Sequence, residues 1–239
     1  MKIEIIKCLK DNYSYLIVDE TTNKACVVDP SEAQPIIDFI EKKNINLKFI
    51  LNTHHHYDHI GGNIELKKRY NSTVVGFRDD KDRIPGIDIL VSDGENWKQD
   101  NFEFKIMHIP GHTSGHIAFY FFKEKKIFTG DTLFSLGCGR IFEGTYDQMF
   151  NSLKRIKQLP SDIKVYCGHE YTLQNSNFCI IHDSKNIKLQ KKILELKEKT
   201  KKGIPTIPST LSEEIECNIF LKANDLESFS KLRDLKDNF

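Results

Sequence analysis

The chain has 239 residues, of which 39% are hydrophobic and 29% are charged, a composition typical of a globular protein. Its 35 basic and 34 acidic residues leave a net charge of +1, which argues against nucleic acid or a membrane surface as the partner. The length suits one large domain or two smaller ones.

The N-terminus and the cysteines indicate the compartment. The opening run "MKIEIIKCLKDNYSYLIVD" alternates like a strand and lacks the apolar core of a signal peptide. No run approaches the length of a membrane-spanning helix. The six cysteines contain no CxxC pair, so a thiolate zinc ribbon is excluded. We therefore expect a cytoplasmic protein.

The first 170 residues alternate between strand-like runs and helical patterns. The strand runs are rich in Ile, Val, Phe and Tyr and end in turn residues: "KIEIIKC", "YSYLIVD", "KACVVD", "LKFILN", "STVVGF", "FEFKIMHI", "HIAFYFF", "KIFTG" and "DIKVY". Helical patterns lie between them at 32–43, 60–70 and 146–158. This order predicts a layered α/β architecture with the sheets in the middle.

From Tyr171 onward the chain reads as helices. The run "SKNIKLQKKILELKEKTKK" is rich in lysine, which we interpret as a solvated helix face. Pro205 and Pro208 end it, and "LSEEIECNIFLKA" and "DLESFSKLRDLKD" follow as short helices. We expect a domain boundary here, with residues 1–170 forming one domain and residues 171–239 a smaller helical one.

The densest group of candidate ligands is "THHHYDH", which begins where the strand "LKFILN" ends. His54 and His56 are two positions apart, so both rings point to one side of an extended loop. Asp58 and His59 follow at the entry to a helix. The pattern HxHxDH arises by chance in roughly one such chain in a thousand. The loop is therefore predicted to bind metal, and its two ligand pairs could serve two adjacent ions.

Three further candidate ligands follow other predicted strands, each beside a glycine. They are His112 in "HIPGHTSGH", Asp131 in "FTGDTLF" and His169 in "VYCGHEY". Histidine and carboxylate ligands without thiolate suit zinc, iron or manganese. Among the other histidines, His55 points to the far side of its loop, where packing or support of a ligand is expected, and His116 could support a ligand.

In this order, HxHxDH, a lone histidine, a GDT aspartate and a GHE histidine resemble the metallo-β-lactamase superfamily. More narrowly, the chain resembles the glyoxalase II (hydroxyacylglutathione hydrolase) family. The resemblance spans essentially the whole chain, through "THHHYDHIGGN", "DRIPG", "PGHTSGH", "FTGDTLFSLGCGR", "GHEYT", "PSTLSEE" and "LRDLKDNF". It implies an αββα sandwich followed by a smaller C-terminal α-helical domain.

The resemblance also implies a two-metal site. The first ion would be bound by His54, His56 and His112, and the second by Asp58, His59 and His169, with Asp131 bridging both. Two divalent ions per chain are expected, zinc in the first place and iron or manganese as alternatives. A hydroxide between the ions, held on the side of Asp58 and Asp131, would be the nucleophile.

The expected reaction is hydrolysis of S-(2-hydroxyacyl)glutathione thioesters, chiefly S-D-lactoylglutathione, to glutathione and D-lactate in methylglyoxal detoxification. A thioester needs no general acid, since a thiol of pKa ~8.5 leaves as thiolate. Cys138 lacks the motif of a thiol nucleophile and is predicted to be a buried structural thiol. We expect a monomer with a small glutathione thioester as its only partner.

The resemblance places glutathione contacts at four residues: Arg140, Tyr171, Arg233 and Lys236. Arg233 and Lys236 are three apart, so on a helix they share one face, as a carboxylate clamp requires. Among the departures of the chain from the family, Arg140 replaces a common lysine and Phe142 a common tyrosine. The loss of the hydroxyl at Phe142 predicts altered affinity for the substrate rather than a different reaction.

Other functions remain open from the sequence. A different thioesterase or a mononuclear-iron persulfide dioxygenase would share the fold, but the complete second ligand set favours two metals. A non-enzymatic binding module usually lacks some ligands, and all seven are present here. A nucleic-acid-processing relative would add an insert domain and a basic surface, and only the lysine-rich helix supports it.

Overall fold

The computed structural model describes all 239 residues and contains 14 strands and nine α-helices. The chain divides into two compact units, one formed by Met1–His108 with Gly115–Glu124 and the other by Ile109–Ser114 with Lys125–Phe239. None of the helices combines the length with the apolar character that is needed to cross a bilayer.

The first unit is built on a sheet of six strands that lie in chain order. These strands are β1 (Lys2–Cys8), β2 (Asn12–Asp19), β3 (Lys24–Val28), β4 (Asn46–Leu51), β5 (Thr73–Phe77) and β6 (Ile87–Val91). β1, β2 and β3 pair antiparallel, and β3 to β6 pair parallel. The candidate ligands of "THHHYDH" thus leave the carboxyl end of a central parallel strand, the usual place for a site in an α/β sheet.

Three helices belong to this unit: α1 (Gln34–Lys43), α2 (Tyr57–Ile60) and α3 (Asn63–Tyr70). α1 and α3 cover one face of the sheet, where Ile36, Ile40 and Leu66 join a buried cluster with strand residues such as Leu16 and Ile50. The helix predicted over 60–70 is divided, because the Gly62 N–H donates to the Pro30 carbonyl (2.8 Å) instead of continuing α2. The division fixes Asp58 and His59 on a separate short helix.

A second set of strands in the first unit is antiparallel throughout: β7 (Asn96–Gln99), β8 (Phe102–His108) and β9 (Ile117–Phe121). Phe49 of β4 packs edge-on against the rings of Trp97 and Phe102, with centroids 4.9 and 6.0 Å away. The first unit therefore consists of a helix layer and two strand layers around buried apolar residues.

The second unit combines short strands with six helices. Its elements are β10 (Lys126–Gly130), β11 (Leu133–Phe134), β12 (Gly137–Cys138), α4 (Tyr146–Lys157), β13 (Lys164–Cys167), α5 (Thr172–His182), α6 (Ile187–Lys201), β14 (Ser209–Thr210), α7 (Leu211–Cys217), α8 (Ile219–Lys222) and α9 (Leu226–Asp237). β10 pairs parallel with β13, which pairs antiparallel with β14. His169 and Asp131 follow the ends of these two parallel neighbours.

Buried polar contacts join the C-terminal helices to the segment around β11 and β12. Glu214 of α7 is fully buried and accepts a hydrogen bond from the Leu136 N–H (2.8 Å). The Asn218 amide donates to the carbonyls of Phe134 (3.3 Å) and Gly137 (3.0 Å). Such bonds cross residue 170, and the two compact units divide the chain at other positions. The domain boundary at residue 170 therefore stays a prediction.

Candidate metal centre

In the first unit, the loop after β4 gathers three imidazole rings. The His54 ring centroid lies 4.8 Å from that of His56 and 4.2 Å from that of His59. His54 and His59 are buried, and His56 is partly exposed. The Asp58 carboxylate lies 3.5 Å from His59 Nε2 and accepts a hydrogen bond from the Asn12 amide (2.9 Å). All four residues predicted as ligands in this loop therefore form one group.

The buried carboxylate of Asp29, at the end of β3, orients this loop. It accepts hydrogen bonds from the Thr53 N–H (2.7 Å) and hydroxyl (2.6 Å) and lies 3.1 Å from His59 Nδ1. Ligand atoms of Asp29, His54 and His59 lie within 4.8 Å of one another. Since the Asp29 oxygens already accept three donors, we interpret this residue as a support of the ligands and not as a ligand.

The spacing of the ligand motifs does not identify Asp29. The signal that could have found it is a carboxylate directly after a buried strand, in "VVDP", next to the strand that carries the histidines. Its backbone has a positive φ of 49°, which is uncommon for a residue other than glycine.

In the second unit, the Asp131 carboxylate lies between two imidazole rings. Its Oδ2 is 3.6 Å from His112 Nε2 and 3.2 Å from His169 Nε2. All three side chains are buried. An oxygen this close to two Nε2 atoms could share one cation with each ring, which fits a carboxylate that bridges two cations. The three residues predicted as ligands after separate strands are thus brought together.

The surroundings of His112 and Asp131 fix both side chains. His112 Nδ1 lies 2.7 Å from the Arg140 carbonyl, which can only accept, so Nδ1 carries the proton and Nε2 remains the ligand atom. A Cβ at Gly139 would lie 1.9 Å from the Asp131 carbonyl, so no other residue fits there without a backbone shift. The "GCGR" run of the sequence therefore has a role in packing beside Asp131.

The donor set fits divalent metal ions. His54 Nδ1 lies 3.0 Å from the Thr53 hydroxyl, so in three of the rings Nδ1 faces a hydrogen-bonding partner and Nε2 points elsewhere. This is the usual outer-shell arrangement of histidine ligands. Histidine and carboxylate donors without thiolate suit zinc, iron or manganese.

Two aromatic rings lie beside the second-unit ligands. Tyr171 stacks on His169 with centroids 4.7 Å apart and planes at 4°. Phe142 meets His112 edge-on at 5.2 Å and is 61% exposed. Both positions were singled out from the sequence for contacts with the substrate, and the structure places them against metal-ligand candidates.

The two arginines predicted to contact glutathione have different surroundings. The exposed Arg140 and the buried Arg233 both donate to Asp237 Oδ1, at 3.2 and 2.9 Å. Arg233 also donates to the Cys138 carbonyl (2.7 Å), so its guanidinium fastens α9 to the segment after β12. Its direct contact with a substrate carboxylate stays a prediction, and Arg140 is the more accessible cation of the two.

Lys236 and Cys138 lie in the same region. The Lys236 ammonium lies over the rings of Phe178 (5.4 Å) and Phe239 (4.9 Å). Burial, and then the charge of Arg233, lower the pKa of Lys236. Cys138 is buried, and burial raises the pKa of its thiol, so it lacks the thiolate character of a nucleophile.

Comparisons with known proteins cover the whole length of the chain from residue 10 onward. Residues 10–169 match the family model described as the metallo-beta-lactamase superfamily, and residues 170–239 match the one described as the hydroxyacylglutathione hydrolase C-terminus. A hydroxyacylglutathione hydrolase of Pelagibacter ubique is 66% identical over 239 residues, covering 100% of both chains. One of Methylococcus capsulatus is 40% identical over 253 residues, covering 100% of this chain and 99% of that protein.

Among solved structures, the crystal structure of ETHE1 from Myxococcus xanthus has a TM-score of 0.75 and 25% identity. The likeness covers 98% of this chain and 90% of that one. Together with the family models, it confirms the predicted α/β fold class with a helical C-terminal part.

Proposed function

The chain belongs to the hydroxyacylglutathione hydrolase family of the metallo-β-lactamase superfamily, and we propose that it hydrolyses S-(2-hydroxyacyl)glutathione thioesters, chiefly S-D-lactoylglutathione. Water adds to the thioester carbonyl, the C–S bond breaks, and glutathione and D-lactate leave. The observation that carries the hydrolase chemistry is the Asp131 oxygen faced by two imidazole Nε2 atoms. The choice of substrate rests on the relatives that match the chain over its whole length.

We assign seven residues to two divalent ions. His54, His56 and His112 would bind one, Asp58, His59 and His169 the other, and Asp131 both. When bound, such ions would lower the pKa of a shared water from its bulk value towards ~7 and polarise a carbonyl oxygen. Zinc is the first expectation, with iron and manganese as alternatives.

The chain's own residues would orient the reactants. Asp58 and Asp131 would accept hydrogen bonds from the attacking water, and the Asn12 amide holds Asp58 in place. Arg140 and Lys236 would attract the glycine carboxylate of glutathione, and Arg233 would hold the helix that carries Lys236. Tyr171 would contact the glutathione chain beside His169. Residues 1–170 would thus supply the metal ligands and residues 171–239 most of the substrate contacts.

We also propose that the protein acts in the cytoplasm as a monomer without a macromolecular partner. Its six cysteines are all free thiols and all buried, which suits a reducing compartment. Size-exclusion chromatography with light scattering would test the monomer, and a mass of twice 27.8 kDa would contradict it.

The function is tested by incubating the protein, loaded with zinc, iron or manganese in turn, with S-D-lactoylglutathione and following the loss of the thioester absorbance. Elemental analysis of the same samples is expected to give two ions per chain. Asp131→Asn is expected to lower kcat/KM by at least about 100-fold, because the side chain loses its negative charge and one carboxylate oxygen becomes an NH2 group that cannot bind a metal ion. No turnover by the fully loaded wild-type protein would refute the proposal.

A further inference from the structure

The run "DRIPG" matches the family but has no role in the proposed reaction. Asp80 lies two residues before this run and ends a 3₁₀ turn (Arg78–Asp80), and Arg83 is the second residue of the run. The Asp80 side chain is completely buried, which is rare for a carboxylate unless it is paired. Its surroundings show what it holds in place.

Three side chains form a closed triangle in the first unit. Arg83 donates through Nε to Asp80 Oδ1 (3.1 Å), and its Nη2 donates to the same oxygen. Arg83 Nη1 lies 3.5 Å from His55 Nε2, and His55 Nδ1 lies 3.4 Å from Asp80 Oδ2. Because a guanidinium only donates and this carboxylate accepts, the ring of His55 fits with its proton on Nδ1. Each of its two nitrogens then lies 3.4–3.5 Å from an atom of opposite polarity, an electrostatic contact rather than a hydrogen bond on the side of Asp80.

The position of His55 gives this triangle its significance. His55 lies between His54 and His56, both assigned to the first metal ion, and its ring centroid is 5.1 Å from that of His56. A fixed His55 side chain therefore restricts the backbone that aims both neighbouring rings. Histidine ligands are usually oriented through their second nitrogen, and here the intervening residue is held as well.

Asp80 also contacts a second segment next to the same ligands. A Cβ at Gly115 would lie 2.0 Å from Asp80 Oδ1, so the backbone of Gly115 packs directly on the carboxylate. The following residue, His116, stacks its ring on His54 with centroids 4.6 Å apart and planes at 19°. The buried Asp80 carboxylate thus contacts His55, which follows His54 in the chain. It also contacts the backbone of Gly115, which precedes the residue stacked on His54.

We propose that Asp80, Arg83 and His55 form a positioning network that sets the metal affinity of the His54–His56 pair. The network rests on the proposed metal centre and takes no part in the chemical step. Its loss is expected to weaken metal binding about tenfold, at the lower end of what outer-shell partners of metal ligands contribute. The rate of the fully loaded protein would stay close to that of the wild type.

The test compares the affinity of Arg83→Gln and of wild type for cobalt(II), by titration of the metal-free proteins against a competing chelator far below the unfolding temperature. Gln keeps a polar side chain but cannot contact Asp80 and His55 together. Arg78→Gln is the matched control, because Arg78 lies in the same turn and contacts Ser92 (3.2 Å) instead. Gly115→Ala is a second variant, since the added methyl group must displace Asp80 Oδ1, the oxygen that Arg83 contacts, while all three side chains of the network remain.

We expect Arg83→Gln and Gly115→Ala to bind the metal about tenfold more weakly and to change the cobalt d–d spectrum, while Arg78→Gln matches the wild type. A lower unfolding temperature with unchanged affinity and spectrum would mean a purely structural role and would overturn the inference. Equal weakening in Arg78→Gln would overturn it as well. A wild-type protein that binds no metal would refute the proposed centre itself, which is a separate outcome.

Discussion

Three of the imidazole rings assigned to the metals are held at Nδ1 by different partners. His54 is held by a hydroxyl, His59 by a carboxylate and His112 by a backbone carbonyl. A carboxylate partner raises the basicity of its histidine most, so His59 is expected to be the strongest donor of the three. At the scale of single residues, each of these histidines is thus oriented by its own partner. Substitutions at the predicted substrate contacts leave these partners in place.

Phe142 allows the first prediction at this scale. The ring is exposed and lies beside His112. In Phe142→Tyr the added hydroxyl reaches solvent or substrate without disturbing a core. One hydrogen bond is worth about 0.5–1.5 kcal/mol, so KM for S-D-lactoylglutathione should fall by about two- to tenfold with kcat unchanged.

Steady-state kinetics would measure both constants, with Phe142→Leu as the control that removes the ring without adding a donor. An unchanged KM in Phe142→Tyr would show that this position does not contact the glutathione moiety.

Lys236 gives a prediction of pH dependence. Its pKa is lowered, so it loses its proton, and with it the attraction for a carboxylate, at a pH below its ordinary 10.5. Binding of glutathione should therefore weaken as pH rises through the lowered pKa. In Lys236→Arg the charge persists, because a guanidinium is not deprotonated in this range.

Calorimetric titration with an S-alkylglutathione, which cannot be hydrolysed, measures this binding without interference from alkaline thioester hydrolysis. If the wild type and Lys236→Arg lose affinity in parallel with pH, the carboxylate contact does not depend on Lys236.

At the scale of elements, local sequence predicts most of the strands but not all. Runs rich in Val, Ile and Phe were recognised, and "KIFTG" coincides with β10. β7 was missed because "NWKQ" is polar and mostly exposed, and only its pairing with β8 makes it a strand. β6 was missed although it reads "IDILV", a short run between turn residues. Pairing partners far away in sequence are not visible in a local pattern.

The candidate site shows the same limit. The ligands were predicted because HxHxDH and the glycine-flanked positions have a spacing that can be recognised in one chain. Asp29 and the triangle of Asp80, Arg83 and His55 have no such spacing, since they are defined by contacts between separate elements. The burial of Arg233 also depends on how α9 packs, which its helical position alone does not determine.

Helix α4 offers a prediction about stability. Thr145 caps its N-terminus by accepting from the Gln148 N–H (3.1 Å), and the Gln148 side chain accepts from the Thr145 N–H (2.9 Å). Thr145→Ala removes the first of these bonds and should lower the free energy of unfolding by about 1 kcal/mol. Thr145→Ser keeps the hydroxyl and should lie near the wild type. Urea unfolding measures the difference, and equal stability of Thr145→Ala and Thr145→Ser would contradict the role of the cap.

At the scale of the whole molecule, the question is whether the C-terminal residues can be separated from the rest. Two family models meet between residues 169 and 170, which suggests two modules. The buried contacts of Glu214 and Asn218 with residues 134–137, and of Arg233 with Cys138, indicate that the segment from Leu133 to Arg140 needs the C-terminal helices. A buried donor left without its partner costs about 1–3 kcal/mol.

We therefore expect a fragment of residues 1–169 to lack a cooperative unfolding transition, because several such donors lose their partners at once.

Variants of Glu214 distinguish the loss of these contacts from the loss of the C-terminal residues as such. Burial raises the pKa of Glu214, so the neutral amide in Glu214→Gln, which keeps the acceptor for Leu136, should cost less than about 1 kcal/mol. Glu214→Ala leaves that buried N–H without a partner and opens a cavity, and should cost about 2–4 kcal/mol. Circular dichroism during urea unfolding compares the fragment and both variants. A fragment that unfolds cooperatively, together with a Glu214→Ala variant as stable as Glu214→Gln, would show that residues 1–169 fold as an independent domain.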